Sequence, residues 1–134
     1  MAKILIVDDE PDLGEILKDT LEIKGYEVDV VLDGYQAMAQ IKKTHYDLTL
    51  MDVRLPGLNG VETFLRIKEI DPLVKVIMMT GFAMEDLIEE ALKQGAYACL
   101  NKPFDLGKTI KLIEKAIYEN HKVILIGNYS ATTY

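Results

Sequence analysis

The sequence predicts an α/β protein in which helices cover both faces of one parallel β-sheet. Five apolar runs alternate along the chain with five segments whose apolar residues recur at helical spacing. Four of the runs carry almost no charge, which is typical of parallel strands that are buried on both faces. Regular alternation of strands and helices favours a single doubly wound sheet with right-handed connections.

The five strands are predicted from these runs, in chain order. They cover residues 3–7, 27–31, 48–51, 75–79 and 98–100. The second run alternates charged and apolar residues, which indicates a strand with one less covered face at an edge of the sheet. The third run meets Asp52, and Pro56-Gly57 then takes the chain out of the sheet.

A helix is predicted after each strand. Pro11 suits the first turn of the first helix, and Gly25 ends that helix. Asp33-Gly34 precedes a short second helix, and Asp71-Pro72 ends the third. The fourth helix is predicted over residues 86–94, with Gly95 as its stop, and the fifth over residues 106–119.

Composition excludes several classes of function. A chain of 134 residues, 49% apolar and 28% charged, fits one globular domain. No apolar run is long enough to span a bilayer, and the first residues do not resemble a signal peptide. The single cysteine cannot form an internal disulfide. We therefore expect a cytoplasmic protein. The net charge of −7 argues against direct binding of nucleic acid or membrane. Two histidines and one serine argue against a serine hydrolase or a zinc site.

Polar residues follow four of the predicted strands. They are Asp8 and Asp9 after the first, Asp52 at the third, Thr80 after the fourth and Lys102 after the fifth. Taken singly, each could be a helix cap, a turn residue or a surface lysine. Parallel strands, however, bring their carboxyl ends to one edge of the sheet, where ligands bind. Three neighbouring carboxylates need cations, which Lys102 and a hard ion such as Mg²⁺ would supply.

This arrangement suits phosphoryl transfer. A carboxylate beside Mg²⁺ can act as a nucleophile on phosphorus and form an aspartyl phosphate. Lys102 and the metal would neutralise charge on the transferred group, and the Thr80 hydroxyl can donate to one of its oxygens.

With these residues in place, the chain resembles the receiver domain of two-component response regulators. The resemblance covers residues 3–119 and implies a flavodoxin-like doubly wound sheet with strand order 2-1-3-4-5 and five helices. The matching motifs are Val7-Asp8-Asp9-Glu10, Met51-Asp52, Leu55-Pro56-Gly57 with Asn59-Gly60, Met79-Thr80-Gly81 and Asn101-Lys102-Pro103-Phe104.

The resemblance also implies roles for the site residues. Asp52 would be the phosphoacceptor. Asp9 would bind Mg²⁺ directly, Asp8 largely through water, and the backbone carbonyl of Arg54 would complete the metal shell. Thr80 would be the switch hydroxyl and Lys102 the phosphate-binding lysine.

The implied function is a phosphorylation switch, with a sensor histidine kinase upstream and an output domain or protein downstream. Such a domain is not an enzyme in the usual sense, although it can catalyse its own phosphorylation and slow dephosphorylation. The peptide before Pro103 is expected to be cis.

Two alternative functions, a phosphatase and an electron carrier, fit less well. A haloacid-dehalogenase-like phosphatase would carry a second Asp where Arg54 stands, and the acids at 8–10 would repel the phosphate of a flavodoxin cofactor.

Two features depart from the family pattern. Receivers usually place Tyr or Phe three residues before the lysine, where this chain has Cys99. We therefore expect phosphorylation to move mainly the Thr80 loop and the fourth helix, with Tyr97 as a partial substitute if it keeps the strand register. The receiver is assigned to residues 1–120, and residues 121–134 are interpreted as a linker remnant. The alternative is that the apolar run at 123–126 forms a strand that pairs with a sheet edge or with a second chain in a homodimer.

Overall fold

The computed structural model describes residues 2–81, 84–102 and 105–126, and from residue 120 onward only the backbone of the last helix. The expected cis peptide before Pro103 therefore lies outside the described residues. The described strands are β1 (Lys3–Val7), β2 (Glu27–Val31), β3 (Leu48–Asp52), β4 (Val76–Thr80) and β5 (Ala98–Asn101). The described helices are α1 (Pro11–Ile23), α2 (Gly34–Lys43), α3 (Gly60–Ile70), α4 (Glu85–Lys93) and α5 (Leu106–Ile126).

All five strands run parallel in the order β2-β1-β3-β4-β5. This confirms the predicted fold class and strand order, and it places β2 at an edge as its alternating pattern predicted. The predicted strand limits agree with the observed ones to within one residue. Every residue of β3 and β4 is buried, which is why both segments read as unbroken apolar runs.

The core consists of two apolar clusters, one on each face of the sheet. One cluster lies against α1 and α5 and includes Leu50 of β3. The other lies against α2, α3 and α4 and includes Met51, the next residue of the same strand. Successive side chains of a strand point to opposite faces, so both faces of β3 need apolar residues. Buried in this way, β3 is a fixed support for the charged residue at its end.

The loop after β3 is held by a tightly built start of α3. Asn59 accepts a hydrogen bond from the Glu62 amide and Glu62 accepts one from the Asn59 amide, which is a capping box. A Cβ atom at Gly60 would lie 2.0 Å from the carbonyl oxygen of Asp52, so only glycine permits this approach. The packing of α3 therefore fixes the backbone at Asp52.

The fifth helix is longer than the sequence predicts. It continues to Ile126, seven residues beyond the predicted end at Glu119. The alternative in which residues 123–126 form a strand is therefore wrong. β-branched residues favour strands only weakly, and a run that continues an established helix can stay helical. No helix in the described part of the chain has both the length and the apolar character needed to cross a membrane.

Candidate functional site

The predicted site residues meet at the carboxyl edge of the sheet. Met51 of β3 lies beside Val7 of β1, so Asp8 and Asp52 leave two neighbouring central strands at the same level. The helix after β1 packs on one face and the helix after β3 on the other, which makes this the switch point of the sheet. The strand topology therefore explains why residues 44 positions apart in sequence share one site.

Lys102 lies at the centre of this group. Its Nζ is 2.8 Å from Oδ2 of Asp52, 3.0 Å from Oδ2 of Asp8 and 3.5 Å from Oε1 of Glu10. The side chains of Asp8 and Asp52 are 0% and 5% exposed, and that of Lys102 is 13% exposed. Buried charges of this kind are stable only when they are paired, so each of the three depends on the others.

Backbone amides hold the other oxygens of the two carboxylates. The amide of Glu10 donates to Oδ1 of Asp8 at 2.8 Å, and the amide of Arg54 donates to Oδ1 of Asp52 at 2.9 Å. Each buried carboxylate therefore has one oxygen fixed by the backbone and one turned toward Lys102. This leaves Asp52 with a defined orientation at the edge of the sheet.

The burial of the group changes its acid–base properties. Burial raises the pKa of Asp8 above its ordinary value, although the Glu10 amide and Lys102 act in the opposite direction. Burial alone would lower the pKa of Lys102, but its hydrogen bonds to Asp52 and Asp8 outweigh this effect and raise it. Lys102 is therefore positively charged throughout the physiological pH range.

The acidic residues fit a hard divalent cation. Oxygens of Asp8, Glu10 and Asp52 lie within 4.8 Å of one another, and a cavity of about 240 Å³ opens beside them. Carboxylate oxygens around a space that can also hold water are the donors that Mg²⁺ prefers. Asp9 is exposed and lines the same cavity, as does Arg54. The coarse prediction of a metal-compatible acidic site is thus supported by the donor set.

Glu10 belongs to this group, although sequence reasoning did not select it. Glu10 is the N-cap residue of α1, and its side chain is 65% exposed beside Lys102. The available signal was its position, since it follows two acids and immediately precedes the helix start at Pro11.

Thr80 ends β4 and is buried, with 4% of its surface exposed. Met79 pairs with Asp52, and Thr80 itself pairs with Asn101 of β5. The Lys102 amide donates to the carbonyl oxygen of Thr80 at 2.7 Å. Thr80 therefore lies one strand away from Asp52, at the same edge as Lys102.

Tyr97 does not substitute for the missing aromatic at Cys99. Cys99 packs against the cluster beside α4, whereas Tyr97 packs against the cluster beside α5. The Tyr97 ring lies 4.6 Å from Nζ of Lys75, and burial followed by its hydrogen bond to Glu119 raises its pKa to about 12. Tyr97 precedes β5 and has left the strand register, so the interpretation of Tyr97 as a partial substitute is wrong.

Comparison with known proteins identifies the family. The family model for the response regulator receiver domain matches residues 4–114, which is most of the chain. The chain belongs to the response regulator receiver domain family. Receivers of this family are phosphorylation-controlled signalling domains of two-component systems, and the buried carboxylates and Lys102 described above are compatible with that function.

Three similar proteins support this assignment. The sporulation initiation phosphotransferase F of Bacillus subtilis is 35% identical over 113 residues, which are 84% of this receiver and 91% of that protein. A CheY-like receiver domain protein from Methanospirillum hungatei JF-1 has a TM-score of 0.88 and 31% identity, covering 91% of this chain and 98% of that chain. The response regulator TrrA of Thermotoga maritima, solved in complex with Mg(2+)-BeF, has a TM-score of 0.76 and 31% identity, covering 87% and 99%.

The match to longer relatives is partial. The chain spans 26% of the length of the first curated relatives, which are named as transcriptional regulatory proteins. Most of the length of those relatives therefore lies outside the matched region.

Proposed function

We propose that this receiver accepts a phosphoryl group on Asp52 from the phosphohistidine of a sensor histidine kinase. The P–N bond of the phosphohistidine breaks, a bond forms between phosphorus and a carboxylate oxygen of Asp52, and the nitrogen of the leaving imidazole takes up a proton from water. The observation that carries the proposal is the state of Asp52. Its carboxylate is buried, is oriented by the Arg54 amide and is paired with Lys102 at the mouth of a cavity.

The described residues divide the work between them. The Arg54 amide holds Oδ1 of Asp52, which leaves Oδ2 beside Lys102. After transfer, Lys102 can follow the new negative charge, because phosphorylation adds three strong acceptor oxygens next to its ammonium group. The Thr80 hydroxyl is proposed to donate to one of these oxygens, so that the β4–α4 loop responds to phosphorylation.

The metal site is proposed in two forms, which share Asp8 and Asp52 and differ in whether Asp9 or Glu10 supplies the third carboxylate. In the assignment carried by the family pattern, Asp9 binds Mg²⁺ directly, Asp8 binds through water, and Asp52 and the Arg54 carbonyl complete the shell. Carboxylate oxygens of Asp8, Glu10 and Asp52 lie within 4.8 Å of one another, which makes Glu10 a further candidate. The ion would supply positive charge that offsets the charge on the phosphoryl oxygens.

The receiver also needs partners. We propose a histidine kinase upstream and an output domain or protein downstream, and the greater length of the regulatory relatives supports the second. The receiver is assigned to residues 1–120, with 121–134 as a linker segment, although the backbone to Ile126 continues α5. A cytoplasmic location and a homodimer are further parts of the proposal.

The proposal is tested with acetyl phosphate and Mg²⁺, followed by intact mass. Wild type should gain one labile phosphoryl group, and Asp52→Asn should gain none because an amide is a poor nucleophile. Asp19→Asn, which changes an exposed acid of α1, is the matched control and should behave as wild type. Stoichiometric labelling of Asp52→Asn would show that another residue is the acceptor.

A further inference from the structure

Helices α1 and α5 lie side by side on one face of the sheet, with a groove between them. The groove has a volume of about 390 Å³, and its walls include Thr20 of α1 and Ile110 and Glu114 of α5. Both helices pack on the same apolar cluster, whereas α2, α3 and α4 pack on the other face of the sheet. The exposed sides of α1 and of α5 as far as Glu119 therefore form one continuous surface, here called the α1–α5 face.

Large apolar side chains border the groove and are exposed. Ile16 and Ile23 lie four positions before and three positions after Thr20, so they follow the groove side of α1. On α5, Tyr118 follows Glu114 by four positions and lies on the groove side in the same way. All three apolar side chains are more than half exposed. Contiguous exposed apolar patches, unlike single exposed residues, mark surfaces that contact other proteins.

The outer sides of the two helices carry opposite charge. Exposed acids recur on α1 at intervals of three and four positions, namely Asp12, Glu15, Asp19 and Glu22. Exposed lysines recur on α5 at the same intervals, namely Lys108, Lys111 and Lys115. None of these seven side chains forms an ion pair with another described residue. The α1–α5 face therefore has an acidic side, an apolar middle and a basic side.

This pattern is complementary to itself under a two-fold rotation. A two-fold axis that passes through the groove, normal to the face, would place α1 of each copy on α5 of the other. Acids would then face lysines in two equivalent contacts, and the apolar middle of one copy would meet that of the second. A partner of a single charge would be attracted by one helix and repelled by the other. A second copy carries both charges at the matching separation.

We infer that the α1–α5 face binds a second copy of this chain in a symmetric dimer. The acids of α1 pair with the lysines of α5 across the two-fold axis, and Ile16, Ile23 and Tyr118 cover the two facing grooves. Because each copy has a net charge of −7, the copies repel each other in most orientations, and the lysines of α5 favour this one. The inference rests on one part of the proposed function, the homodimer, and does not require phosphoryl transfer.

The dimensions of the face predict a weak dimer. Helix α1 has 13 residues and is therefore about 20 Å long. Two helices about 10 Å apart present a width of about 20 Å with their side chains. Two such faces bury about 1,000 Å² in total when they meet, which is at the lower end of specific interfaces. Dimerisation should therefore depend on protein concentration and, because the charges are exposed, should weaken at high salt.

The test reverses the charge of each helix in turn and measures the dimer dissociation constant of the full chain by analytical ultracentrifugation. Lys111→Glu with Lys115→Glu makes α5 acidic like α1. Glu15→Lys with Asp19→Lys and Glu22→Lys makes α1 basic like α5. Each variant should dimerise at least tenfold more weakly than the wild type, because every substitution acts twice in a symmetric dimer. Circular dichroism checks that both variants are folded.

Mixing the two variants tests the symmetric arrangement itself. In the mixed dimer both contacts again join opposite charges, so the α1 and α5 variants should bind each other at least tenfold more tightly than either binds itself. Lys42→Glu with Lys43→Glu is the matched control, because these lysines are exposed on α2 and the net charge equals that of the α5 variant. The control should dimerise within about twofold of the wild type. Mixed with the α1 variant, it should bind at least tenfold more weakly than the α5 variant does.

Several results would overturn the inference. A wild type that stays monomeric at every concentration would show that the face does not bind a second copy, whether or not another protein binds there. A dimer that the α5 variant retains, or a mixture of the two variants that stays monomeric, would place the interface elsewhere. Phosphorylation by acetyl phosphate and Mg²⁺ is measured in the same samples by intact mass. Dimerisation without phosphorylation would refute the proposed phosphoryl transfer alone, and phosphorylation of a chain that stays monomeric would refute the interface alone.

Discussion

Replacing Lys102 by methionine tests the buried charge group most directly. The substitution removes the ammonium group but keeps most of the apolar stem. Asp8 and Asp52 would then face each other in a buried site without the cation that lies 3.0 and 2.8 Å from them. We expect Lys102→Met to fold but to be markedly less stable in the absence of metal.

The size of the loss follows from these distances. At an effective dielectric constant of about 20, unit charges 2.8 and 3.0 Å apart attract each other by about 6 and 5.5 kcal/mol. The cost of burying the lysine charge cancels much of this attraction. Removing one partner of a buried ion pair therefore costs about 3–5 kcal/mol in stability. For a domain of this size that corresponds to a fall in Tm of about 10–20 °C.

The assay is urea unfolding in EDTA at pH 7.5, with Lys108→Met as the control because Lys108 is exposed on α5. The control should stay within about 0.5 kcal/mol of wild type. Asp52→Asn should recover part of the loss when combined with Lys102→Met, because it removes one of the two unpaired charges. If Lys102→Met loses less than about 1 kcal/mol of unfolding free energy, the charge arrangement is refuted, because leaving a buried charge unpaired costs more than that.

The pH dependence gives an independent check. Burial raises the pKa of Asp8, so the folded protein binds that proton more tightly than the unfolded chain does. The stability associated with this proton is present at low pH and is lost as the pH rises through the raised pKa. Without Lys102 the pKa of Asp8 should rise further, so the deficit of Lys102→Met should be smaller near pH 5 than near pH 8. A deficit independent of pH would contradict this reasoning.

Two further predictions concern the metal and the core. Mg²⁺ should stabilise the wild type by about 1–3 kcal/mol at concentrations several-fold to a hundred-fold above its Kd, and Asp9→Ala should erase most of the shift in melting temperature. If Mg²⁺ raises the melting temperature of Asp9→Ala as much as that of the wild type, but not that of Glu10→Ala, the direct metal ligand is Glu10 and not Asp9. Thr49 is fully buried, and its hydroxyl has no hydrogen-bond partner within the described chain. Thr49→Val should therefore stabilise the protein by about 1 kcal/mol in urea unfolding, and a loss of stability would show that the hydroxyl is satisfied.

Much of the fold could be predicted because this sheet is buried on both faces. Strands of that kind carry their signal in sequence as apolar runs, and a charge is tolerated only where the run reaches the carboxyl edge. Asp52 and Thr80 were therefore visible as the last residues of β3 and β4. Parallel strand topology then predicts that Lys102, which follows β5, lies at the same edge of the sheet as these two residues.

The remaining features depend on three-dimensional contacts. The helical state of residues 123–126 could not be predicted, because their β-branched side chains suit a strand equally well and only the continuation of α5 decides. The face occupied by Tyr97 depends on Lys75, a residue 22 positions away whose ammonium group lies over the ring. Glu10 lies beside Lys102 because of the way in which α1 begins. The spacing of apolar residues along the sequence does not reveal this position.

The last prediction concerns motion within the sheet. Tyr97 precedes β5, and its backbone amide donates a hydrogen bond to the Val76 carbonyl oxygen while its ring lies against the Lys75 ammonium group. At the other end of the strand, the Lys102 amide donates to the Thr80 carbonyl oxygen. These contacts restrain β5 at both ends. Cys99, which lies between them, has no aromatic ring that could change position.

Phosphorylation should therefore move the Thr80 loop and the start of α4 and leave β5 nearly static. Amide hydrogen exchange with and without Mg²⁺ and beryllofluoride should show changes at Thr80 and Glu85 several times larger than at Cys99. A Cys99→Tyr variant is the comparison, because a ring at this position can occupy two places and should spread the change into β5. If the change in amide exchange at Cys99 of the wild type is as large as that at Thr80, β5 responds to phosphorylation without an aromatic side chain. The contacts at the two ends of β5 would then not restrain the strand.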